Sequence, residues 1–353
     1  MFIKNAWYCA GWDYQVSQGK TALIARKIAG ERVVLYRKLN GDVVAMEDRC
    51  PHRQAALSMG SKEGDELRCM YHGLKFGSDG KCTEIPGQSN IPERACVRVF
   101  PVVEKDNWIW VWMGDPLKAD PSLITDAVGP SHPDYNTRPC YIQIDADYRL
   151  ENANLADLSH SSFTHDATIA MGWAQALAKP QHKVLPRGVK TDYWVRNVPV
   201  PKFVEHMFPP GFMCDAHFDI TQTVPCNWIL HFRVFMAGTA TEGESDGMLV
   251  LDSWSCQAIT PRDERSVDYY YSWGVSKATD RPGLSDLLKE GLDEAFREDK
   301  AMLEGQQKRM EEKPNFKTFD IAADAGPGKM LWVLDKLIKE EASQSESLIA
   351  SMA

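Results

Sequence analysis

Two short pairs of cysteine and histidine constrain the fold of this chain more than any other feature of its sequence. The first pair is Cys50 and His52 in the segment CPHR, and the second is Cys69 and His72 in CMYHGLKF. Each pair follows a stretch typical of a β-strand, VVAMEDR before the first and DELR before the second. Two tight loops at the ends of paired strands can bring two thiolates and two imidazoles around one centre. We therefore expect these loops to hold a metal site.

Two kinds of metal site use two cysteines and two histidines. Zinc takes such a set in tetrahedral geometry, normally with about two to four residues between paired ligands. A Rieske cluster instead places two cysteines on one iron and two histidines on the other. Only one residue separates Cys50 from His52, which favours the cluster. Gly73, directly after His72, allows close approach of the backbone. Zinc remains the alternative.

The chain has 353 residues, enough for two domains, and its two parts carry different patterns. In the first part, β-rich runs alternate with turns, as in ERVVLYR, the turn at Asn40-Gly41 and VVAMED. This pattern predicts a small antiparallel β-domain over 1–138. A segment rich in Pro, Asp and Gly over 115–140 contains the predicted boundary, so the second domain comprises 139–353.

The second part mixes strands with helices. It begins with a strand at YIQIDADYRL that leads into a helical or broken-helical segment from Glu151 to about His165. Further strand-like runs occur around 190–200, 212–237, 246–260 and 266–275. The longest helix is predicted from Gly283 to Glu312. A shorter helix is predicted over 330–341, with Gly326-Pro327-Gly328-Lys329 as a turn before it. Strands followed by helices in this order predict an α+β domain in which helices cover an antiparallel sheet.

A second candidate metal site lies in this region. His160 and His165 are five positions apart, so a regular helix would rotate them by about 140° from each other. They can share an ion only if the helix ends or distorts near Ser161. Asp299 lies on the apolar stripe of the long helix, and a carboxylate that points into a core needs a cation or several donors. Two histidines and one such aspartate match the triad of non-haem Fe(II) oxygenases.

Each member of this second set has an ordinary alternative. The histidines could cap or pack a helix, and Asp299 could pair with Arg or Lys at the edge of the stripe. Its neighbour Glu298 is expected about 100° away, on the polar side. The first metal site favours the triad, because a Rieske cluster carries single electrons while a ferrous site binds O2 and needs electrons to cleave it. A chain with both sites is an O2-activating oxygenase with its own electron relay.

Taken together, these segments resemble the Rieske non-haem iron oxygenases. The likeness is greatest to oxygenase components of the vanillate O-demethylase type, with dicamba and toluenesulfonate monooxygenases as neighbours. It extends over nearly the whole chain, from FIKNAWYCAGW through CPHR, YHGLKF, WVWMGDP and NLADLSHSSFTH to FREDKAMLEGQQ. The resemblance implies two sets of metal ligands. The ligands of a 2Fe-2S cluster are Cys50, His52, Cys69 and His72. The ligands of a mononuclear Fe(II) are His160, His165 and Asp299.

The resemblance also implies catalytic roles for two neighbours of the histidines. Asp157 matches the family's bridging acid, which hydrogen-bonds a cluster histidine of the neighbouring subunit and an iron-ligand histidine. The resemblance to compact members of the family also implies a head-to-tail homotrimer. Electrons would then pass from His72 of one subunit through Asp157 to His160 of the next. Asn154 matches an asparagine close to the iron, with a structural amide as the alternative.

The reaction that the resemblance implies is hydroxylation of an aromatic acid with O2. The expected form is O-demethylation of a vanillate-like methoxybenzoate, with release of formaldehyde. N-demethylation, methyl or ring hydroxylation and aryl-ether cleavage are alternatives, and a Rieske electron-transfer protein without oxygenase activity is a third possibility. His231 in NWILHFRVF and Gln257 in SWSCQAITP are expected to face the substrate pocket. The alternative for both is an ordinary hydrogen-bonded strand position.

The electrons must come from a separate protein. The sequence contains neither a GxGxxG after a strand nor the four-Cys spacing of a plant-type ferredoxin. We therefore expect an NAD(P)H-dependent reductase of the flavin and ferredoxin type. The net charge of −9 disfavours nucleic acid or an anionic membrane as a partner. The chain lacks an apolar run of about 18 residues and a signal-like N-terminus, so a cytoplasmic enzyme is expected.

Overall fold

The computed structural model describes residues 1–19, 22–241 and 246–352, with side chains described through 344. Two compact units are present. The N-terminal unit comprises Lys4–Ile124 with Thr260–Asp263, and the C-terminal unit comprises Met1–Ile3, Thr125–Ile259 and Glu264–Ala353. The main division thus falls after Ile124, inside the segment rich in Pro and Asp, whereas the sequence prediction places the domain boundary after residue 138.

The N-terminal unit is built from short antiparallel strands, as the sequence predicts. Its strands in the described residues are β1 (Trp7–Trp12), β2 (Ile24–Ile28), β3 (Glu31–Arg37), β4 (Val43–Glu47), β5 (Ser61–Glu63), β6 (Glu66–Arg68), β7 (Lys75–Phe76), β8 (Cys82–Glu84), β9 (Val99–Phe100), β10 (Val102–Lys105) and β11 (Trp108–Trp112). They form three sheets, with strand orders β1-β11-β10, β2-β3-β4-β9 and β5-β6-β7-β8.

The turn at Asn40-Gly41 shows how the sequence determines this architecture locally. Gly41 has a φ of +99°, which favours glycine, and the Lys38 amide donates to the Asp42 carbonyl at 2.8 Å. β3 and β4 therefore pair in register from Arg37–Val43 to Val33–Glu47. Their inward side chains join those of the β5–β8 sheet in one buried cluster. That cluster includes Tyr36, Met46, Leu57, Leu67 and Phe76, and it also contains Cys50 and Cys69.

The C-terminal unit is α+β, with one seven-stranded antiparallel sheet and helices packed on it. Its strands are β12 (Tyr135–Ile144), β13 (Gln181–Leu185), β14 (Gly188–Pro199), β15 (Met213–Thr223), β16 (Asn227–Met236), β17 (Leu249–Asp263) and β18 (Ser266–Ser276), in the order β12-β18-β17-β16-β15-β14-β13. Its helices are α1 (Tyr148–Ala156), α2 (Ser161–Thr164), α3 (Trp173–Ala176), α4 (Leu284–Glu312) and α5 (Ala325–Met352). Helix α4 packs on β12 and β18, and α5 packs on α1 and β14.

The last helix differs from its prediction. α5 begins at Ala325, so the segment Gly326–Lys329 forms its first turn instead of a separate turn before it. Proline is tolerated at the start of a helix, where the missing amide has no intrahelical partner. Gly326 is needed because a Cβ there would lie 2.5 Å from the carbonyl oxygen of Ala156. Among the described residues, no helix is both long and apolar enough to cross a bilayer.

Candidate active site: two metal centres

The loops that carry the two cysteine–histidine pairs have the same backbone hydrogen bonds. In the first, the Cys50 amide donates to the Ala55 carbonyl at 2.8 Å, and the Gln54 amide donates back to the Cys50 carbonyl at 2.9 Å. In the second, the Cys69 amide donates to the Leu74 carbonyl at 2.8 Å, and the Gly73 amide donates to the Cys69 carbonyl at 3.0 Å. Each loop is thus closed by hydrogen bonds between its own backbone groups.

The equivalent fourth position after each cysteine adopts a left-handed backbone. Gln54 has a φ of +60° and Gly73 a φ of +74°. Glycine occupies this conformation without strain, whereas a side chain such as that of Gln54 does so at a cost. At Gly73 there is also a steric reason, since a Cβ would lie 2.9 Å from Cγ of Pro86. Gly73 is therefore required both by the turn and by close packing.

The paired loops separate the two ligand types by depth. Cys50 and Cys69 are each only 2% exposed, while His52 and His72 are exposed, with ring centroids 4.6 Å apart. Burial raises the pKa of the Cys50 thiol, and the adjacent Cys69 thiol raises it further. The set fits a 2Fe-2S cluster with one iron held by buried thiolates and the other held by two histidines at the surface.

The second set of candidate ligands depends on a broken helix. α1 ends at Ala156, and Asp157 leaves helical geometry with φ −129° and ψ 100°. A 3-10 turn follows over Leu158–His160, and the short helix α2 ends before His165. The predicted distortion is present, but the break lies at Asp157, before Ser161. It allows the rings of His160 and His165 to approach with centroids 5.2 Å apart.

The structure brings His160, His165 and Asp299 together, with one potential ligand atom from each within 4.8 Å of the others. The Nε2 atom of His160 lies 3.5 Å from one carboxylate oxygen of Asp299, and the Nε2 atom of His165 lies 3.3 Å from the other. Burial by itself would raise the pKa of Asp299, but contacts with both histidines outweigh it and hold that pKa well below its ordinary value. A divalent cation therefore finds an ionised carboxylate and two imidazoles here.

Glu298 supports this triad, although its angle on the helix predicts a position on the polar side. Its carboxylate accepts from Nδ1 of His165 at 2.7 Å and from the Thr168 hydroxyl at 2.9 Å. Two consecutive acids on α4 thus contact the two nitrogens of one imidazole. Because its Nδ1–H donates to Glu298, His165 presents an unprotonated Nε2 to a metal. The adjacent acids in FREDK are the sequence signal that could have indicated this role.

Asn154 and Asp157 also lie at the triad. The side-chain amide of Asn154 donates to Oδ1 of Asp299 at 3.1 Å. The backbone carbonyl of Asp157, and not its carboxylate, accepts from Nδ1 of His160 at 2.5 Å. The Asp157 carboxylate instead caps the following turn by accepting from the Ser159 amide at 2.8 Å. Both triad histidines therefore have an acceptor at Nδ1 that orients Nε2 inward.

A carboxyl group that the sequence reasoning did not single out lies one turn before Asn154. Glu151 is 1% exposed, and neither carboxyl oxygen has a hydrogen-bond partner among the described residues. Burial raises the pKa of Glu151 well above its ordinary value, and the charge of Asp299 raises it further. Burial thus favours the protonated form of Glu151, which lies close to the Asp299 carboxylate.

A cavity of about 110 Å³ borders the triad. Its walls are mostly apolar side chains of the sheet and of α4, including Trp228, Leu230, Phe232, Leu288, Leu292 and Phe296. Gln257, one of the two predicted pocket residues, lines this cavity. Its amide nitrogen donates to the Ser255 hydroxyl at 3.0 Å, and its carbonyl accepts from the Tyr269 hydroxyl.

The prediction that His231 faces the pocket is wrong. Side chains alternate along a strand, and the cavity side of β16 carries Trp228, Leu230, Phe232 and Val234. His231 therefore points to the opposite face, where it stacks on Trp254 and its Nε2 lies 2.7 Å from Asp252.

Comparison with known proteins identifies two domains in the chain. Residues 6–101 match the family description of the Rieske [2Fe-2S] domain, and residues 144–340 match the vanillate O-demethylase oxygenase C-terminal domain. The iron-sulfur subunit of the toluene-4-sulfonate monooxygenase system of Comamonas testosteroni is 36% identical over 97% of this chain and 98% of its own length. The vanillate O-demethylase oxygenase subunit of a Pseudomonas strain is 32% identical over the full length of both chains.

The fold of the chain is also similar to that of a solved structure. The crystal structure of dicamba monooxygenase bound to dicamba superposes with a TM-score of 0.86 at 29% identity, covering 97% of this chain and 99% of that one. A Rieske domain followed by an iron-binding α+β domain defines the class of Rieske non-haem iron oxygenases. The chain belongs to the vanillate O-demethylase family within that class. It is an oxidoreductase that uses O2, a Rieske 2Fe-2S cluster, a mononuclear iron and a separate reductase. The Rieske match also excludes the zinc alternative.

Proposed function

We propose that this chain is the terminal oxygenase of a system that hydroxylates an aromatic compound, with O-demethylation of a methoxyarene as the reaction. The observation that carries the proposal is the position of the His160, His165 and Asp299 triad at the wall of an apolar cavity. Apolar walls bind the faces of an aromatic ring and exclude water. The triad lies at the edge of this cavity, where a substituent of the ring can reach it.

The ligand assignments are part of this proposal. The cluster is held by Cys50, Cys69, His52 and His72, and the mononuclear iron is held by His160, His165 and Asp299. Together the two centres supply O2 activation and single-electron delivery, which amino-acid side chains do not provide. The protein's contribution is position. Glu298 and the Asp157 carbonyl orient the two imidazoles, and Asn154 holds Asp299.

The overall reaction balances with two external electrons. One O2, two electrons and two protons convert a methoxy group to a hydroxymethyl ether and one water. The hydroxymethyl ether then collapses to a phenol and formaldehyde, in which the methyl carbon is oxidised. The two electrons come from the reductase, which we propose to be NAD(P)H-dependent, with flavin and ferredoxin centres.

Electron transfer between subunits is proposed from the family resemblance. In a head-to-tail homotrimer, His72 of one subunit would approach Asp157 of the next, and Asp157 adjoins His160. The exposure of His72 supports such a transfer, since the edge of this ring is available to a neighbouring molecule. We further propose that the enzyme acts in the cytoplasm.

Hydroxylation of a ring methyl group is the second candidate reaction. It is favoured by the 36% identity to a subunit named for toluene-4-sulfonate monooxygenation, which exceeds the identity to the vanillate O-demethylase subunit. Both reactions insert oxygen into a C–H bond, and they differ only in whether the product is stable or releases formaldehyde.

A single-turnover experiment tests the proposal. Reduced, iron-replete protein is mixed with O2 and a panel of methoxylated, N-methylated and methylated aromatic compounds, and formaldehyde and organic products are quantified. We expect formaldehyde in equal amount to a phenol. A benzylic alcohol without formaldehyde would support the second candidate, and oxidation of no panel member would refute the proposed function.

Asp157→Asn tests the relay. Asparagine caps a helix as well as aspartate does and leaves the backbone carbonyl on His160 in place. We expect both metals to remain bound while product formation falls by roughly 10–100-fold. A normal rate with this variant would contradict the assigned role of Asp157.

A further inference from the structure

Gly291 interrupts the apolar stripe of α4 at a position where a larger side chain is expected. It lies three residues after Leu288 and four before Ala295, and all three are buried. Glycine in the middle of a helix destabilises it relative to alanine, because glycine loses more conformational freedom on folding. A glycine at this position therefore indicates a close contact that a larger residue would prevent.

The close contact is with the aromatic ring of Phe203. A Cβ atom at position 291 would lie 2.7 Å from Cε2, 2.8 Å from Cζ and 3.0 Å from Cδ2 of that ring. Protein interiors are close-packed, so the ring and a methyl group cannot share this space. Phe203 belongs to a 3-10 turn over Lys202–Met207 that packs on α4. Its ring thus rests against the helix only because residue 291 has no side chain.

The same turn forms one wall of the cavity beside the triad. The residues of the turn and its flanks that line this cavity are Val200, Pro201, Phe203, Val204 and Phe208. Leu288 and Leu292, which flank Gly291 on α4, line it as well. The half-buried Phe203 ring therefore contacts both the helix and the cavity. Where this ring lies determines how much room the cavity has at this wall.

Contacts at both ends hold the turn in place. At its start, Nζ of Lys202 lies 2.9 Å from the carboxylate of Asp166, the residue directly after a triad histidine. At its end, the Arg281 guanidinium lies over the Phe208 ring, 4.9 Å from the centroid, and donates to the Met207 carbonyl at 3.4 Å. The turn is thus tied both to the segment that carries the triad histidines and to the residues just before α4.

We propose that Phe203 sets the size of the substrate that this enzyme accepts and that Gly291 is the positioning residue for its ring. A closed apolar cavity of about 150 Å³ binds benzene, so a cavity of about 110 Å³ is matched to a single aromatic ring. The inference rests on the proposed oxygenase function and adds the residues that limit its substrate to one ring.

Two pairs of ligands that differ by one fused ring measure this limit. 4-Methoxybenzoate and 6-methoxy-2-naphthoate carry the same two groups on one ring and on two, and 4-methylanisole and 2-methoxy-6-methylnaphthalene repeat the comparison without a carboxylate. Binding to the iron-replete protein is measured by calorimetry without O2. We expect Phe203→Ala to reduce the preference for the one-ring ligand at least roughly tenfold. An unchanged preference in both pairs, or no binding of either two-ring ligand to the variant, overturns the inference.

A double-variant cycle tests the role of Gly291. Gly291→Ala should weaken binding of the one-ring ligands roughly tenfold, because the Phe203 ring can no longer rest against α4 and the wall of the cavity changes. In the Phe203→Ala background the same change should have almost no effect, since no ring remains for the methyl group to contact. Equal effects of Gly291→Ala in the two backgrounds would overturn its positioning role.

Gly305→Ala is the matched control on the same helix. A Cβ at position 305 has no neighbouring atom within 4 Å, so this variant should leave the affinities unchanged in both backgrounds. Weakening of ligand binding by Gly305→Ala equal to that by Gly291→Ala would show a general effect of alanine in α4 and overturn the role of Gly291. Thermal melts confirm that each variant folds, and Phe203→Leu takes the place of Phe203→Ala if the latter does not.

Single-turnover product analysis with the same ligands keeps this inference apart from the proposed function. If the variants change the binding preference but no ligand is oxidised, the size limit stands and the proposed function fails. If the parent and Phe203→Ala oxidise the ligands with the same preference for one ring over two, the oxygenase function stands and the inference fails.

Discussion

The loops around Cys50 and Cys69 close through hydrogen bonds made within six residues, whereas the triad joins elements far apart in the chain. Asn154 and Asp299, which hydrogen-bond at the triad, are separated by 145 residues. Local sequence therefore shapes each loop of the first site, although packing of the strands brings the two loops together. The second site requires the segment after α1 to meet α4. The comparison teaches that a metal centre can be recognised by spacing alone only when its loops are self-contained.

Reciprocal removal of ligands tests the independence of the two sites and has the largest expected effect. Asp299→Ala should lower mononuclear iron content and turnover by more than about 100-fold, because the triad loses its only charged ligand and two imidazoles remain. The visible absorption of the 2Fe-2S cluster should persist. His52→Ala should instead remove the absorption of the 2Fe-2S cluster and leave the mononuclear iron content unchanged. Loss of the cluster absorption in Asp299→Ala would contradict independent assembly.

Glu298 tests how much the distributed site depends on its supporting groups. Glu298→Ala should weaken iron binding by roughly 10–100-fold, since Nδ1 of His165 loses its acceptor. Iron retained against a competing chelator provides the measurement. Glu294→Gln, on the exposed side of the same helix, is the matched control and should bind iron normally. Equal retention by the Ala variant and the control would remove Glu298 from the site.

Glu151 offers a test on stability. The pKa of Glu151 is higher in the folded protein than in the unfolded chain. Below the unfolded pKa near 4.5, Glu151 is protonated in both states and the full stability is present. As the pH rises toward the folded pKa, that stability is lost, because the unfolded chain releases the proton more readily. A difference of one between the folded and unfolded pKa values corresponds to about 1.4 kcal/mol of folding free energy. The stability gained by Glu151→Gln over the parent should therefore be larger at pH 8 than at pH 5, by roughly 1–3 kcal/mol.

Denaturant melts at the two pH values measure this difference. The exposed Glu290→Gln is the control and should show no such pH dependence. An identical dependence in the parent and in Glu151→Gln would show that Glu151 is ionised in the fold.

The smallest expected effect compares the two Rieske loops. Gly73→Ala should cost about 1–2 kcal/mol from left-handed backbone strain, with a further cost from the contact with Pro86. Gln54→Gly at the equivalent position should be neutral or stabilising by up to about 1 kcal/mol. Chemical denaturation of each variant measures both changes. A destabilising Gln54→Gly would show that the two loops are not energetically equivalent.

Much of the fold could be predicted because it follows from short-range patterns. The hairpin at Asn40-Gly41 depends on residues adjacent in the chain. Helix α4 is predicted from a regular apolar stripe, and it begins directly after Gly283. The short strand β13 lacks such a pattern and was not predicted. α5 begins earlier than predicted, and its first turn includes Gly326, whose close approach to Ala156 is a tertiary contact.

The sequence by itself determined the cluster motif, the two-part architecture and the candidates His160, His165 and Asp299, since these depend on residue type and spacing. Only the tertiary structure decided that Glu298 contacts His165, that His231 points away from the cavity and that Glu151 is buried beside Asp299. The physical reason is that spacing gives the direction of a side chain relative to its own helix or strand. Which neighbour it meets, and whether that neighbour is charged, depends on the packing of other elements.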